Sequence, residues 1–149
     1  MSDDKTKQIL RSLIERVGEA KGPSRELDCA IFCAATAPES HPAWWTYHGL
    51  RSKGLPKDPE GFAKRYAPEY TRSLDAALSL VPEGWLVERV GQLQDGSWIA
   101  VLWLLRDPRH VSKRVYSTPS TPYPFVASGA LALVLACLRA RLSAEETHG

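Results

Sequence analysis

WLVERVGQLQDGSWIAVLWLL, residues 85–105, is the stretch of this chain that decides the fold. The pair Asp95-Gly96 near its middle predicts a two-residue hairpin turn, because type I′ turns favour Asp-Gly at their central positions. A turn closed there pairs Val90 with Val101 and leaves apolar residues on both faces of the hairpin. A sheet that faces water on one side alternates apolar and polar residues instead. The pattern therefore predicts a small antiparallel sheet that is covered on both faces.

Helical patterns flank this hairpin on both sides. Ser24 is a suitable N-cap for a helix that Pro38 closes, and Thr71 or Ser73 is a suitable cap for a shorter helix. Apolar spacing predicts helices at residues 9–17, 24–37, 74–81 and 128–142, and residues 111–118 are predicted to form a third strand. We therefore predict a single domain over residues 1–149. It is an α/β protein of the α+β type, folded as a three-layer αβα sandwich with a small, mainly antiparallel sheet and a long C-terminal helix.

Charge and cysteine content limit the classes of protein to consider. The formal net charge of +2 is far below the strongly basic balance of most nucleic-acid-binding domains, so a polyanion would need a local patch. Three cysteines, an odd number, fit a reducing cytoplasm better than a secreted disulfide framework. The acidic N-terminus does not resemble a signal peptide, and the apolar runs at residues 98–105 and 130–138 are too short to span a bilayer. We therefore predict a cytoplasmic protein that does not bind a membrane.

The segment at residues 37–69 is the strongest candidate for a binding loop. Compact domains rarely keep a long, proline-punctuated connection without a use, because its ordering entropy must be offset by contacts. Its aromatic rings and cations suit hot-spot contacts with a protein, or the stacking of a base and neutralisation of phosphate. The structural alternative is that the tryptophans cap the sheet and the basic residues are merely solvated. The candidate binding residues, in this segment and just beyond it, are Trp44, Trp45, Tyr47, His48, Arg51, Lys53, Lys64, Arg65 and Arg72.

Patterns for catalysis or metal binding are weak. Cys29, Cys33, His41 and His48 follow a C-x3-C-x7-H-x6-H spacing, but zinc sites favour cysteine pairs in a tight knuckle and not on a helix. Small buried thiols in the core explain the cysteines more simply, and helix capping or solvent contact explains Asp28. No dinucleotide-binding, Walker, nucleophile-elbow or H-E-x-x-H motif occurs. We therefore predict a protein that is not an enzyme, with no catalytic residue, no cofactor and no metal.

Three segments, taken together, resemble a known family. They are Gly-Pro-Ser-Arg-Glu-Leu-Asp at residues 22–28, Tyr-Thr-Arg-Ser-Leu-Asp-Ala-Ala-Leu at residues 70–78 with Val-Pro-Glu-Gly-Trp at residues 81–85, and Ala-Leu-Ala-Leu with Leu-Arg-Ala within residues 130–140. They resemble the small phage and prophage proteins described as the phage ABA sandwich domain. The resemblance implies an αβα sandwich and a phage origin. It supplies no catalytic motif, and residues 37–69 are where this chain looks least like the family.

Three hypotheses about function follow from these patterns. The favoured one is a phage-encoded accessory protein that binds a host protein without catalysis, in the host cytoplasm, with interference with host defence as a natural role. The alternative is a binder that sequesters a small ligand or a phosphorylated nucleotide signal. An unrecognised enzyme is the least favoured. The last predicted helix carries small residues at Ala132, Ala136 and Ala140, so we also predict a homodimer in preference to a monomer.

Overall fold

The computed structural model describes residues 2–36, 38–49, 55–105, 113–117 and 125–147. These residues form six α-helices, one short 3-10 helix and a three-stranded antiparallel sheet. The helices are α1 (Ser2–Glu19), α2 (Arg25–Ala35), α3 (Trp44–Gly49), α4 (Pro59–Tyr66), α5 (Leu74–Leu78) and α6 (Gly129–Thr147); the 3-10 helix is Pro38–Ser40; the strands are β1 (Trp85–Gln92), β2 (Trp98–Leu104) and β3 (Lys113–Tyr116). The predicted α+β class, the antiparallel sheet and the long C-terminal helix are confirmed.

The hairpin between β1 and β2 turns where it was predicted, but its register differs by one residue. The Leu93 amide donates to the Ser97 carbonyl at 2.7 Å, so the loop has three residues, and of these three Gly96 alone has a positive φ, 89°. A three-residue loop with glycine at its left-handed position is the next commonest hairpin connection. Asp95 stabilises it by accepting a hydrogen bond from the Ser97 amide at 2.9 Å. The predicted two-residue turn is therefore wrong, and Val90 pairs with Ala100.

A bulge in β1 shifts the strand register by one further residue, and the two faces of the sheet differ in their surroundings. The pairing shifts between Val87 and Arg89, so that Glu88 is the extra residue. Ala100 and Leu102 lie fully buried in the core on the face that α6 covers. On the other face Glu88 accepts a hydrogen bond from Arg114 at 2.8 Å, and among the described residues this face keeps exposed side chains. Among the described helices, α6 covers one face of the sheet, and on the other face Val101 is also buried.

Helix α6 is the centre of the fold. It packs against β2 on one side and α1 on another, and nearly all of its residues from Ala130 to Ala140 are buried. A helix that is apolar on every side is expected to be buried on every side. Ala132, Ala136 and Ala140 are 0 % exposed within one chain, so they are not available for a second copy. The sequence-based reason for a homodimer is therefore wrong, although the oligomeric state itself stays a prediction.

A buried carboxylate joins α2 to the turn before α5. Asp28 is 2 % exposed, and its Oδ1 accepts hydrogen bonds from the Thr71 amide at 2.9 Å and the Thr71 hydroxyl at 2.8 Å. The Arg25 guanidinium lies 3.6 Å from Asp28 Oδ2. The predicted roles of Asp28 are both wrong. Asp28 is not a cap, because Ser24 caps α2, as predicted, and Ser73 caps α5. It is not solvated, because it is buried. Asp28 is a structural group that links distant segments.

None of the helices formed by the described residues is long and apolar enough to cross a membrane.

Candidate binding surface on helices α3 and α4

The segment at residues 37–69 is not the irregular loop that the sequence suggested. It contains the 3-10 helix, α3 and α4, while residues 50–54 lie outside the described residues. Helix α4 begins at a strong local signal, because the Asp58 side chain caps it by accepting from the Gly61 amide at 3.0 Å, and Pro59 occupies its first turn. The entropy argument for a functional loop therefore loses its basis, because regular structure and packing account for much of the segment.

Aromatic packing holds α3 against α4 and α2. Phe62 is fully buried at the centre of the cluster, with ring-centroid distances of 5.0 Å to Trp44 and 4.6 Å to Tyr66. Trp44 is only 2 % exposed. The other rings that contact Phe62 are Phe32, His41, Tyr47 and His48. Trp44 therefore supports the fold, as the structural alternative held, although it packs between helices and does not cap the sheet. Its assignment as a binding residue is wrong, because almost none of its surface is exposed.

Tyr47 and His48 are held in place by the start of α4. The Tyr47 hydroxyl donates to Asp58 Oδ2 at 3.1 Å, and the Asp58 amide donates to His48 Nε2 at 3.0 Å. Because Nε2 accepts, the neutral ring carries its proton on Nδ1, which donates to the Trp44 carbonyl at 2.9 Å. Both side chains are half-buried, so only part of each is open to a partner. Both nitrogens of His48 are used, which argues against the zinc arrangement considered from the sequence.

The cap of α4 leaves room for no side chain at Gly61. A Cβ there would overlap Asp58 Oδ2 and lie 2.6 Å from Tyr47 Oη. We expect Gly61→Ala to lower the free energy of unfolding by about 1–2 kcal/mol, because the cap must open. In a chain that already carries Asp58→Ala and Tyr47→Phe, the same change should stabilise the helix by up to about 1 kcal/mol. Denaturation followed by circular dichroism measures both; an equal cost in the two backgrounds would contradict this account.

Trp45 is the aromatic candidate that the fold presents to solvent. Its side chain is 69 % exposed, and Lys57 Nζ lies 4.3 Å from the ring centroid, within cation–π range. Leu55 is exposed nearby in sequence, on the approach to α4. Tryptophan brings a large apolar area and a polar N–H group, and it is enriched among the residues that dominate interfaces. Lys57 belongs to the run of basic residues that follows Trp45 in the sequence, although it is not in the list of candidate binding residues.

The remaining basic candidates divide between two places. Lys64 and Arg65 are exposed in the last turn of α4, and the Arg65 guanidinium lies 5.8 Å from the Tyr66 ring centroid. Arg72 is exposed on the turn whose Thr71 contacts α2, and no described contact joins it to Trp45. Arg51 and Lys53 lie outside the described residues. The structure therefore brings Trp45 and Lys57 together and leaves Arg72 on a separate part of the chain.

The cysteines also differ from the expectation of a common buried role. Cys137 on α6 is buried, and burial raises its pKa to about 12. Cys33 on α2 is exposed and Cys29 is half-buried. Of the three thiols, therefore, only Cys137 belongs to the interior of the core, and Cys29 and Cys33 lie nearer the surface of α2.

No protein-family model, curated protein or solved structure matches this chain. The resemblance to the phage ABA sandwich domain, and the phage origin that it implies, therefore stay predictions made from the sequence.

Proposed function

We propose that this protein acts by binding a partner protein, without catalysis, and that the exposed side of α3 around Trp45 is the centre of the binding surface. The observation that carries the proposal is the exposure of Trp45, 69 %, beside the buried Trp44. Tryptophan is enriched among interface hot spots, where burial of one large ring supplies much of the affinity. The other candidate rings support the fold, so Trp45 is the one whose contact area is still free for a partner.

The packed side chains beneath Trp45 favour tight binding, because they hold α3 in one position. Trp44 and Phe62 pack edge to face below α3, and Tyr47 is hydrogen-bonded to the cap of α4. A ring on a rigid helix loses little conformational entropy when a partner covers it, so more of the contact energy appears as affinity. These contacts therefore position Trp45 before a partner binds.

Charge indicates the chemistry of the partner. Lys57 Nζ lies 4.3 Å from the centroid of the Trp45 ring and is the cation that a described contact joins to it. A cation beside an aromatic anchor favours a partner with acidic side chains around an apolar pocket, because complementary charge speeds encounter and suppresses wrong partners. We therefore expect a partner surface with an apolar slot for Trp45 and carboxylates near it.

The biological setting of the proposal rests on the sequence resemblance alone. A phage-encoded accessory protein that binds a host protein in the host cytoplasm, and so interferes with host defence, is consistent with that resemblance. The absence of familiar catalytic motifs from the sequence supports a non-enzymatic role.

Binding of a phosphorylated nucleotide is the second candidate function. It is favoured by the same pair, because an exposed indole can stack on a base while Lys57 neutralises phosphate. Trp45 is central to both functions, so the ligand that is bound must decide between them.

The experiment compares the native chain with Trp45→Ala as baits for affinity capture from host lysate, with Phe125→Ala as a matched loss of an exposed aromatic ring. We expect the native chain and Phe125→Ala to retain the same protein and Trp45→Ala to lose it. Titration calorimetry with the identified partner should then show a loss of more than about 2 kcal/mol for Trp45→Ala. Equal capture by all three baits would refute the proposal. Nucleotide released from the native chain on denaturation, with no protein retained, would favour the second candidate.

A further inference from the structure

A cavity lies between α1, α2 and α4, apart from Trp45. Its volume is about 750 Å³, within the range of small-molecule sites, roughly 300–1,000 Å³. Its apolar lining comes from Cys29, Ala30, Cys33 and Ala63. Two of these residues are the thiols that the sequence placed one helical turn apart on α2. The cavity is therefore large enough for an organic molecule and is lined by methyl groups and thiols.

The charged residues at the rim carry both signs. Arg16 pairs with Glu26 at 3.4 Å across the gap between α1 and α2. On α4, Glu60 precedes Lys64 by four residues, which is the favourable order for an ion pair on one helix face. An anionic ligand would face both glutamates, and a cationic one would face Arg16 and Lys64. The rim therefore favours neither sign of charge.

Arg25, also at the rim, is occupied by the fold. Its guanidinium donates to the Ala67 carbonyl at 2.6 Å and to the Lys64 carbonyl at 2.9 Å, and it lies 3.6 Å from Asp28. These contacts hold the C-terminal end of α4 against α2. Arg25 thus lines the cavity, and its guanidinium is already engaged by protein groups and is not available to bind a phosphate or carboxylate.

The thiols behave as apolar lining. Although Cys33 is exposed overall, its partial desolvation at the cavity raises its pKa above the ordinary value, and the nearby Cys29 and Glu60 raise it further. Cys33 therefore stays protonated at neutral pH, and a protonated thiol is a small, polarisable, weakly polar group. This environment suits reversible contact with an apolar molecule and not nucleophilic attack.

We propose that this cavity is a second binding site, which takes an uncharged, largely apolar small molecule. The inference is independent of the proposed partner surface, because Trp45 and Lys57 do not line the cavity. Ligand and partner would therefore bind at separate places on the same domain.

The test uses prodan, an uncharged fluorophore whose emission rises and shifts in apolar surroundings, and an anionic naphthalene sulfonate as its charged counterpart. We expect the native chain to bind prodan saturably, at one site, and more tightly than the sulfonate. Ala30→Phe should fill the cavity and weaken prodan binding by about tenfold or more. Thr46→Phe on the exposed surface of α3 should leave it unchanged, as should Trp45→Ala.

A chemical measurement keeps the proposal testable if Ala30→Phe does not fold. In Cys29→Ala, Cys33 is the exposed thiol, whereas Cys137 is buried and has a pKa of about 12. Saturating prodan should slow the reaction of Cys33 with a disulfide reagent by about fivefold or more, because the ligand covers the thiol. Absence of saturable prodan binding, tighter binding of the sulfonate, or an unprotected Cys33 would each overturn the proposal. Loss of partner capture by Trp45→Ala with normal prodan binding would leave it standing.

Discussion

Trp44→Ala is expected to lower the free energy of unfolding by about 3–5 kcal/mol, the usual cost of truncating a fully buried aromatic side chain. The neighbouring change Trp45→Ala is expected to alter it by no more than about 0.5 kcal/mol, as is usual for surface substitutions. The two residues are adjacent in sequence and identical in type, but their exposed fractions are 2 % and 69 %. Each variant is therefore the matched control of the other.

Urea denaturation followed by circular dichroism is the suitable measurement, because it does not depend on the tryptophan fluorescence that the variants change. Phe62→Ala should reproduce the loss seen in Trp44→Ala, because Phe62 is the ring on which the cluster is centred. Comparable losses for Trp44→Ala and Trp45→Ala would show that both rings support the fold. The proposed binding surface would then have no free aromatic anchor.

Asp28→Ala is expected to cost about 2–4 kcal/mol, because a hydrogen bond to a charged group contributes about 1.5–3 kcal/mol and a buried donor left unsatisfied costs about 1–3 kcal/mol. The change leaves the buried Thr71 amide without its acceptor at 2.9 Å and removes the acceptor of the Thr71 hydroxyl at 2.8 Å, so that the hydroxyl keeps only the Ser24 carbonyl at 3.2 Å. Asp28→Asn should cost less, because its side-chain oxygen can still accept from Thr71 while the contact with Arg25 is weakened.

A double-mutant cycle separates this network from general damage to α2. Thr71→Val removes the buried hydroxyl with little change in volume, and Asp28→Ala removes the carboxylate. Because the two groups interact directly, the double variant should lose less than the sum of the single losses, by about 1.5–3 kcal/mol. Additive losses would mean that Asp28 supports the fold through some other contact.

The same network gives a physical reason for two of the segments that carry the family resemblance. Residues 22–28 and residues 70–78 are far apart in the chain, but the Ser24 amide donates to Thr71 Oγ1 at 2.9 Å and Thr71 donates to Asp28. Their polar residues are therefore required together, as parts of one buried hydrogen-bonded junction. The fold alone thus accounts for these polar residues, and they carry no information about a ligand or partner.

Local features of the fold could be predicted from the sequence because their causes lie within a few residues. Ser24 caps α2 as predicted, and Ser73, one of the two residues predicted as candidates, caps α5, since a cap needs one side chain and an amide three residues ahead. The apolar stripe of α1, the hairpin position at Gly96 and the long last helix follow from periodicity and turn chemistry. The sequence by itself thus determined the α+β class, the order of the main elements and the general region of the candidate binding residues.

Only the tertiary structure decided which of those residues are free to bind. Helix α3 has six residues, too few to be stable alone, so its existence and orientation depend on packing against Phe62. That packing buries Trp44 and exposes Trp45, two residues that no local pattern distinguishes. In the same way, contacts with α1 and β2 bury α6 on all sides and turn an apparent dimer surface into core. Burial is set by residues distant in the chain, so it could not be predicted from the local sequence.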